Sequence, residues 1–175
     1  ASVIPADKSV MFTIAGMTLA PAGKVALGNK DSGPSAVVFT PDGKRALVTR
    51  DGDSTLSILA VDGAKVTATN RNFHAGVRPY GADITPDGRY VVVGNVGRGQ
   101  GDNDTVSLID MSMNPPRTVD TITVGPTAEG VKVSPNGKYA AAVVHNGSAL
   151  PPSSPFYNAF GKVVLLGISG GRLVK

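Results

Sequence analysis

Cysteine is absent from this chain of 175 residues, and so is tryptophan. Without cysteine there can be no disulfide framework, no thiolate metal site and no cysteine nucleophile. Charge is sparse as well: Asp, Glu, Lys and Arg make up 17% of the residues, with 17 basic against 13 acidic side chains and a formal net charge of +4. The basic residues are scattered rather than clustered along one stretch, so nothing tracks a phosphate backbone and no nucleic-acid partner is expected. No apolar run approaches the roughly 20 residues of a membrane span. Stretches with a helical period are hard to find. The leading "ASVIPADKS" has neither the basic nor the apolar region of an intact signal peptide, which fits a mature end or a cut end.

What the chain has in quantity is glycine (22), proline (13) and apolar residues (41%), a composition suited to many short strands joined by tight turns. One turn recurs. "FTPDGKRALVT" begins at Phe39, "ITPDGRYVVVG" at Ile84 and "VSPNGKYAAAV" at Val133, placing Pro41, Pro86 and Pro135 at intervals of 45 and 49 residues. Each turn is preceded by a short strand, in "GPSAVVFT", "RPYGADIT" and "PTAEGVKVS", and followed after a variable loop by "STLSILAVDG", "DTVSLIDMSM" and "GKVVLLGISGG". A fourth element closes each unit: "AKVTATNRNF", "RTVDTITVG" and the final "RLVK".

Four strands in a period of about 40 to 50 residues predict a β-propeller, an all-β fold of four-stranded antiparallel blades set radially about a channel. The runs "RALV", "YVVVG" and "YAAAVV" lack polar alternation, as a strand packed on both faces requires. The Asp-Gly or Asn-Gly in each turn supplies a positive φ, which makes the motif a hairpin corner between first and second strands. Blades are expected at about 33–76, 77–125 and 126–175, preceded by a half blade at 9–28 that holds third and fourth strands. Propellers have at least about four blades, so the chain reads as a partial or cleaved propeller, the remaining blades lying in the same parent chain or in a second chain. Pairing two copies would not supply the first and second strands missing from each half blade. An isolated segment would expose blade faces and tend to associate.

The second unit, "PYGADITPDGRYVVVGN" followed by "DTVSLIDMS", resembles the YVTN-type propeller repeat, and the resemblance covers most of the chain from Gly33 onward. The first unit departs from it with Ser35-Ala36 and Arg50, the third with "PTAEG" and Asn136. The resemblance implies an extracytoplasmic, often surface-associated bacterial protein. Similar propellers include lactonase-type hydrolases and haem-binding or electron-transfer partners. The residues that repeat are structural, so the resemblance assigns no catalytic residue. Tryptophan-aspartate repeats do not fit a chain without tryptophan.

Function is therefore sought in the unrepeated loops at the channel mouth. Those from second to third strands are "RDGDS", "NVGRGQGDND" and "HNGSALPPSSPFYNAFG"; those between blades are "GNKDSG", "RNFHAGVRPYG" and "GPTAEG". They hold both histidines. His74, Glu129 and His145 are the acid/base candidates, and Arg50, Arg78, Tyr80, Asn95, Phe156 and Tyr157 the ligand-binding ones. The competing reading is that two histidines fall in loops because loops are polar. The long insertion carries Phe156, Tyr157 and Phe160, three of the nine aromatic residues, as a lid, a partner-binding hook or a loop pinned by its own rings. Asp102 and Asp104, with Asn103, or Asp51 and Asp53 in the earlier loop, offer oxygen ligands, but neither spacing fits a calcium loop, so no metal is expected. "GRGQGDND" is followed by no helix and makes no phosphate cradle. No cofactor is implied. The leading expectation is a propeller scaffold binding a protein or small-molecule ligand through its loop-rich face; the alternatives are a lactonase-like hydrolase at the channel mouth and a redox or cofactor-associated propeller.

Overall fold

The computed structural model describes residues 8–15, 18–99 and 101–175. The leading segment 1–7 and residues 16, 17 and 100, which the expected strands and loops include, lie outside the described residues. Fourteen strands and no helix are found among those described.

Strands β1 (Lys8–Ala15) and β2 (Thr18–Ala26) form a two-stranded antiparallel hairpin with a bulge at Met11/Phe12. Three four-stranded sheets follow, each antiparallel and in simple sequence order. The first blade holds β3 (Pro34–Phe39), β4 (Arg45–Arg50), β5 (Thr55–Asp62) and β6 (Lys65–Phe73). The second holds β7 (Pro79–Ile84), β8 (Tyr90–Asn95), β9 (Thr105–Asp110) and β10 (Arg117–Thr123). The third holds β11 (Ala128–Val133), β12 (Tyr139–Val144), β13 (Lys162–Ser169) and β14 (Arg172–Val174). The first strands β3, β7 and β11 lie side by side, which makes them the inner strands around a common axis. This is the all-β, bladed arrangement expected of a propeller.

The recurring turn is built the same way each time. Thr40 N–H bonds the Arg45 carbonyl and Gly43 N–H the Thr40 carbonyl, and Thr85/Tyr90/Gly88 and Ser134/Tyr139/Gly137 repeat both bonds. Gly43, Gly88 and Gly137 have φ of 67, 71 and 69°, a region closed to most side chains. Within the turn the Thr40 hydroxyl and the Lys44 N–H both donate to Asp42 Oδ1, which holds that carboxyl below its ordinary range. In the third turn Asn136 Oδ1 takes the same two donors, from Ser134 Oγ at 2.7 Å and Lys138 N at 3.0 Å. The turn uses an oxygen acceptor, not a charge, and that is why Asn replaces Asp there.

The core lies between blades rather than within them. Leu47, Leu56 and Ile58 of the first blade meet Val91, Val93 and Ile109 of the second. Val92, Val106 and Leu108 on the second blade's other face meet Ala140, Ala142 and Leu166 of the third. The hairpin packs Val25 and Leu27 on Ala46, Val48 and Leu59. A strand with neighbours on both sides buries successive positions rather than alternate ones, and β8 is buried from Tyr90 through Asn95. Hydrogen bonds cross the seams too: Thr49 Oγ1 donates to the Tyr80 carbonyl at 2.7 Å, and Val133 N–H to Asp83 Oδ2 at 2.8 Å.

Candidate functional site

Immediately before its inner strand each blade has one residue in the left-handed region: Gly33 (φ 55°), Arg78 (φ 52°) and Thr127 (φ 62°). The carbonyl of that residue accepts the N–H of the residue just past the second strand, which is Asp51, Val96 and His145 in turn. Two residues beyond the left-handed one stand Ser35, Tyr80 and Glu129, so the repeat opposes Ser35 to Asp51, Tyr80 to Val96 and Glu129 to His145. The first pair is a hydroxyl donating to a carboxylate, Ser35 Oγ to Asp51 Oδ1 at 3.2 Å. The third pair is an imidazole on a carboxylate, His145 Nε2 to Glu129 Oε2 at 2.6 Å, with both side chains partly exposed. One scaffold position thus sets an imidazole on a carboxylate in the third blade only. With Nε2 committed to Glu129, Nδ1 is the ring nitrogen left to meet a ligand.

His145 borders a cavity of about 220 Å³ between the second and third blades. Its walls are Gly99, Gly101, Asp102 and Asp104 from the β8–β9 loop, Pro126 and Thr127 from the connection between blades, and Gly147, Ala149, Leu150 and Phe156 from the long insertion. A β-branched residue at positive φ is strained by about 1–2 kcal/mol, and Thr127 is held there by its N–H bond to Asp104 Oδ2 at 2.6 Å. Asp104 is 5% exposed. Burial pushes its carboxyl above the ordinary range, and the nearby Asp102 adds to the effect, while the Thr127 N–H and the Arg78 charge work against it. A side chain at Gly97 (φ 60°) would occupy the place of the Asp104 carboxylate, so glycine is required behind it.

The aromatic insertion is ordered by its own turns. Ser148 N–H bonds the His145 carbonyl, Leu150 N–H that of Gly147, Ser154 N–H that of Pro151 and Tyr157 N–H that of Ser154. This sets the Phe156 ring against Gly101 (φ 80°), where any Cβ would collide with it. Phe156 therefore lines one side of the cavity while remaining half exposed, as Tyr157 does, and Phe160 is the most exposed of the three rings.

The remaining predicted residues are placed elsewhere. His74 Nδ1 lies 2.6 Å from the Ser54 carbonyl, and the His74 carbonyl accepts from Thr118 on the outermost strand β10, away from the Glu129–His145 pair. The Arg78 guanidinium pairs with Asp51 Oδ2 at 2.9 Å and reaches the Gly97 carbonyl. Tyr80 is partly exposed on β7. Arg50 is buried: it donates to Ser57 Oγ and Ser32 Oγ and pairs with Asp53. Burial raises the Asp53 carboxyl, but the Arg50 and Ser32 hydrogen bonds outweigh it and hold that group low. Asn95, also buried, donates to Thr105 Oγ1 and Ser107 Oγ. Asn95 thus spends its donors inside the blade, and so do the two terminal nitrogens of Arg50, whose buried Nε is left without a partner. Among the described residues no three His, Asp or Glu side chains gather as a metal would need. The sequence offers Asp104 only as a weak metal-ligand candidate, and the Thr127 strain it supports is not legible there. The available signal was a threonine standing where the first blade has Gly33.

The sequence matches no family model and no curated protein. The fold does have solved relatives. A proposed 6-phosphogluconolactonase from Bacteroides uniformis superposes with a TM-score of 0.74 at 18% identity, over 97% of this chain and 47% of that one. One from Bacteroides fragilis gives 0.75 at 16% identity, over 96% and 47%. Hydrazine synthase from Kuenenia stuttgartiensis gives 0.71 at 23% identity, over 95% and 42%. The chain spans less than half the length of each of these proteins. At such identities the likeness concerns the fold alone, and with the bladed sheets above it shows that the chain is an all-β propeller structure.

Proposed function

We propose that the chain is a propeller scaffold that binds a small, neutral, partly apolar ligand in the cavity between its second and third blades. The observation that carries this reading is the cavity itself, where an apolar wall of Pro126, Leu150 and Phe156 faces the His145 imidazole, with Glu129 fixing the ring. Apolar walls with a few convergent polar groups are the usual make-up of a small-molecule site. Charge selects among ligands: Asp102 and Asp104 on the wall and Glu129 behind the imidazole outnumber the Arg78 cation that acts on Asp104, a balance that disfavours an anion, whereas hydroxyl and carbonyl groups find donors and acceptors.

A second reading, lactone hydrolysis, is favoured by the Glu129–His145 pair. A carboxylate that orients an imidazole is the arrangement that lets the free ring nitrogen take a proton from water as it attacks a carbonyl. The likeness to two proteins proposed as 6-phosphogluconolactonases points the same way. The carboxylates then favour an uncharged lactone over a phosphorylated one. Similarity to YVTN-type repeats supports an extracytoplasmic setting for either reading.

Calorimetric titration with D-glucono-1,5-lactone and with its 6-phosphate tests both. The binding reading expects saturable heat with the neutral lactone, weakened about tenfold or more by His145→Ala. Hydrolysis above the spontaneous rate that is lost in the same variant supports the second reading. Unchanged affinity in the folded variant, or preference for the phosphate, contradicts the proposed site.

A further inference from the structure

The cavity beside His145 is smaller than an ordinary small-molecule cleft: about 220 Å³ against roughly 300–1,000 Å³. It holds one ring of a ligand and leaves outside whatever is joined to that ring. Next to it stands the insertion 146–161, whose backbone is seated on the cavity wall at two points. A Cβ on Gly147 would collide with the Phe156 carbonyl and stand 3.2 Å from the Asn158 nitrogen, and Asn146 Nδ2 donates to the Phe160 carbonyl at 3.3 Å. Tyr157 and Phe160 are thereby carried alongside His145 and Gly147, which line the cavity. Both rings meet water, Tyr157 at 40% and Phe160 at 77% exposure. Their backbone is nevertheless fixed, since Tyr157 N–H bonds the Ser154 carbonyl and Phe160 N–H bonds Asn158 Oδ1 at 3.1 Å. Rings held in place before a ligand arrives lose little conformational freedom when it binds.

The insertion's composition narrows what those rings meet. No residue from 146 to 161 is charged, and serine and asparagine stand around the aromatics. Asn158 and Ala159 part Tyr157 from Phe160, so the rings are single faces with amide and hydroxyl groups beside them, not the broad apolar patch of a protein interface. An aromatic face carries partial negative charge and attracts C–H groups of positive character. A pyranose presents such C–H groups on its flat face and hydroxyls around its rim, and it carries no charge. We propose that Tyr157 and Phe160 form a second sugar subsite, so that the site takes a neutral oligosaccharide, its terminal unit in the cavity and the adjoining sugar on the two aromatic rings. This rests on the reading of the cavity as the seat of a neutral ligand, and it adds the class of that ligand.

Calorimetric titration compares D-glucono-1,5-lactone with cellobiono-1,5-lactone and maltobiono-1,5-lactone, in which a glucose is joined to the same lactone by a β-1,4 or an α-1,4 bond. At least one of the two-ring lactones is expected to bind about tenfold more tightly than the single-ring one. Tyr157→Ala combined with Phe160→Ala should bring that ratio of affinities close to unity, with circular dichroism unchanged because both side chains are exposed. Equal affinities for all three lactones overturn the second subsite while leaving the cavity as a site for a single ring. A ratio that survives in the double variant overturns it as well, since the second sugar then sits elsewhere. If none of the three lactones binds, the reading of the cavity fails and this inference fails with it.

Discussion

Gly88 of the second blade sits against Pro41 of the first, so close that a Cβ on the glycine would stand 2.9 Å from the proline Cδ. Gly137 repeats the relation with Pro86 at 3.1 Å. Gly43, in the first of the three turns, has the same left-handed backbone but nothing within 4 Å of where its Cβ would be. The recurring turn is thus both a hairpin corner and a point of contact between blades.

This separates two costs that a glycine can carry. Gly43→Ala should destabilise by about 1–2 kcal/mol, the penalty for a side chain in the left-handed region. Gly88→Ala should add about 1–3 kcal/mol for forcing atoms into a packed seam. Urea unfolding of the two variants checks it, and equal losses would mean that Pro41 yields freely.

Thr127→Gly should raise stability by about 1 kcal/mol, since glycine removes the left-handed strain and keeps the N–H that Asp104 accepts. Thermal unfolding measures it. A lower melting temperature would show that the threonine side chain contributes more through packing than its backbone costs.

Asp104 makes stability depend on pH. Its carboxyl titrates above the ordinary value in the folded chain because burial disfavours the charge. The native state therefore holds the proton longer, and this group's contribution to stability falls as pH rises from the ordinary carboxylate range through the raised value. Asp104→Asn keeps an oxygen for the Thr127 N–H and removes the titration. Its stability relative to the parent chain should be greater at pH 7 than at pH 3, by denaturant titration at both; an identical difference at the two values would contradict the assignment. Asp87 has the opposite sign. The Thr85 hydroxyl and the Arg89 N–H lower its carboxyl, so its stabilising contribution is lost as pH falls through that lowered value.

Gly101→Ala should displace the Phe156 ring and loosen the insertion without unfolding the blades, since the three atoms nearest the added Cβ all belong to that ring. Limited proteolysis within 151–160 is expected to speed up at unchanged circular dichroism. An unaltered cleavage rate would show that Phe156 does not depend on Gly101.

The bladed fold was legible because its least ambiguous signal, the Pro-Asp-Gly turn, is also the element that recurs, and the unalternating runs after each turn report packing on both faces. The candidate site was legible only in parts. Glu129 and His145 stood out singly, as ionisable residues in loops. Their pairing follows from the ladder register, which opposes them as it opposes Ser35 to Asp51. Arg50 and Asn95 looked like loop residues at strand ends, yet both turn inward onto a serine of the neighbouring strand, Ser57 and Ser107. In the third blade the corresponding positions are Val144 and Val164, so the polar pair is exchanged as a unit. That covariation between repeats marks an interior contact. Strand pairing had to be known residue by residue before it became visible.

The chain has two histidines, and they give the most direct test of the proposed site. His145 borders the cavity, whereas His74 is bonded to the Ser54 carbonyl elsewhere on the chain. Imidazole nitrogen and carbon resonances followed by NMR during titration with D-glucono-1,5-lactone should show the His145 signals shifting to saturation while those of His74 stay in place. His145 signals that do not move, or both histidines moving alike, would contradict a ligand site between the second and third blades.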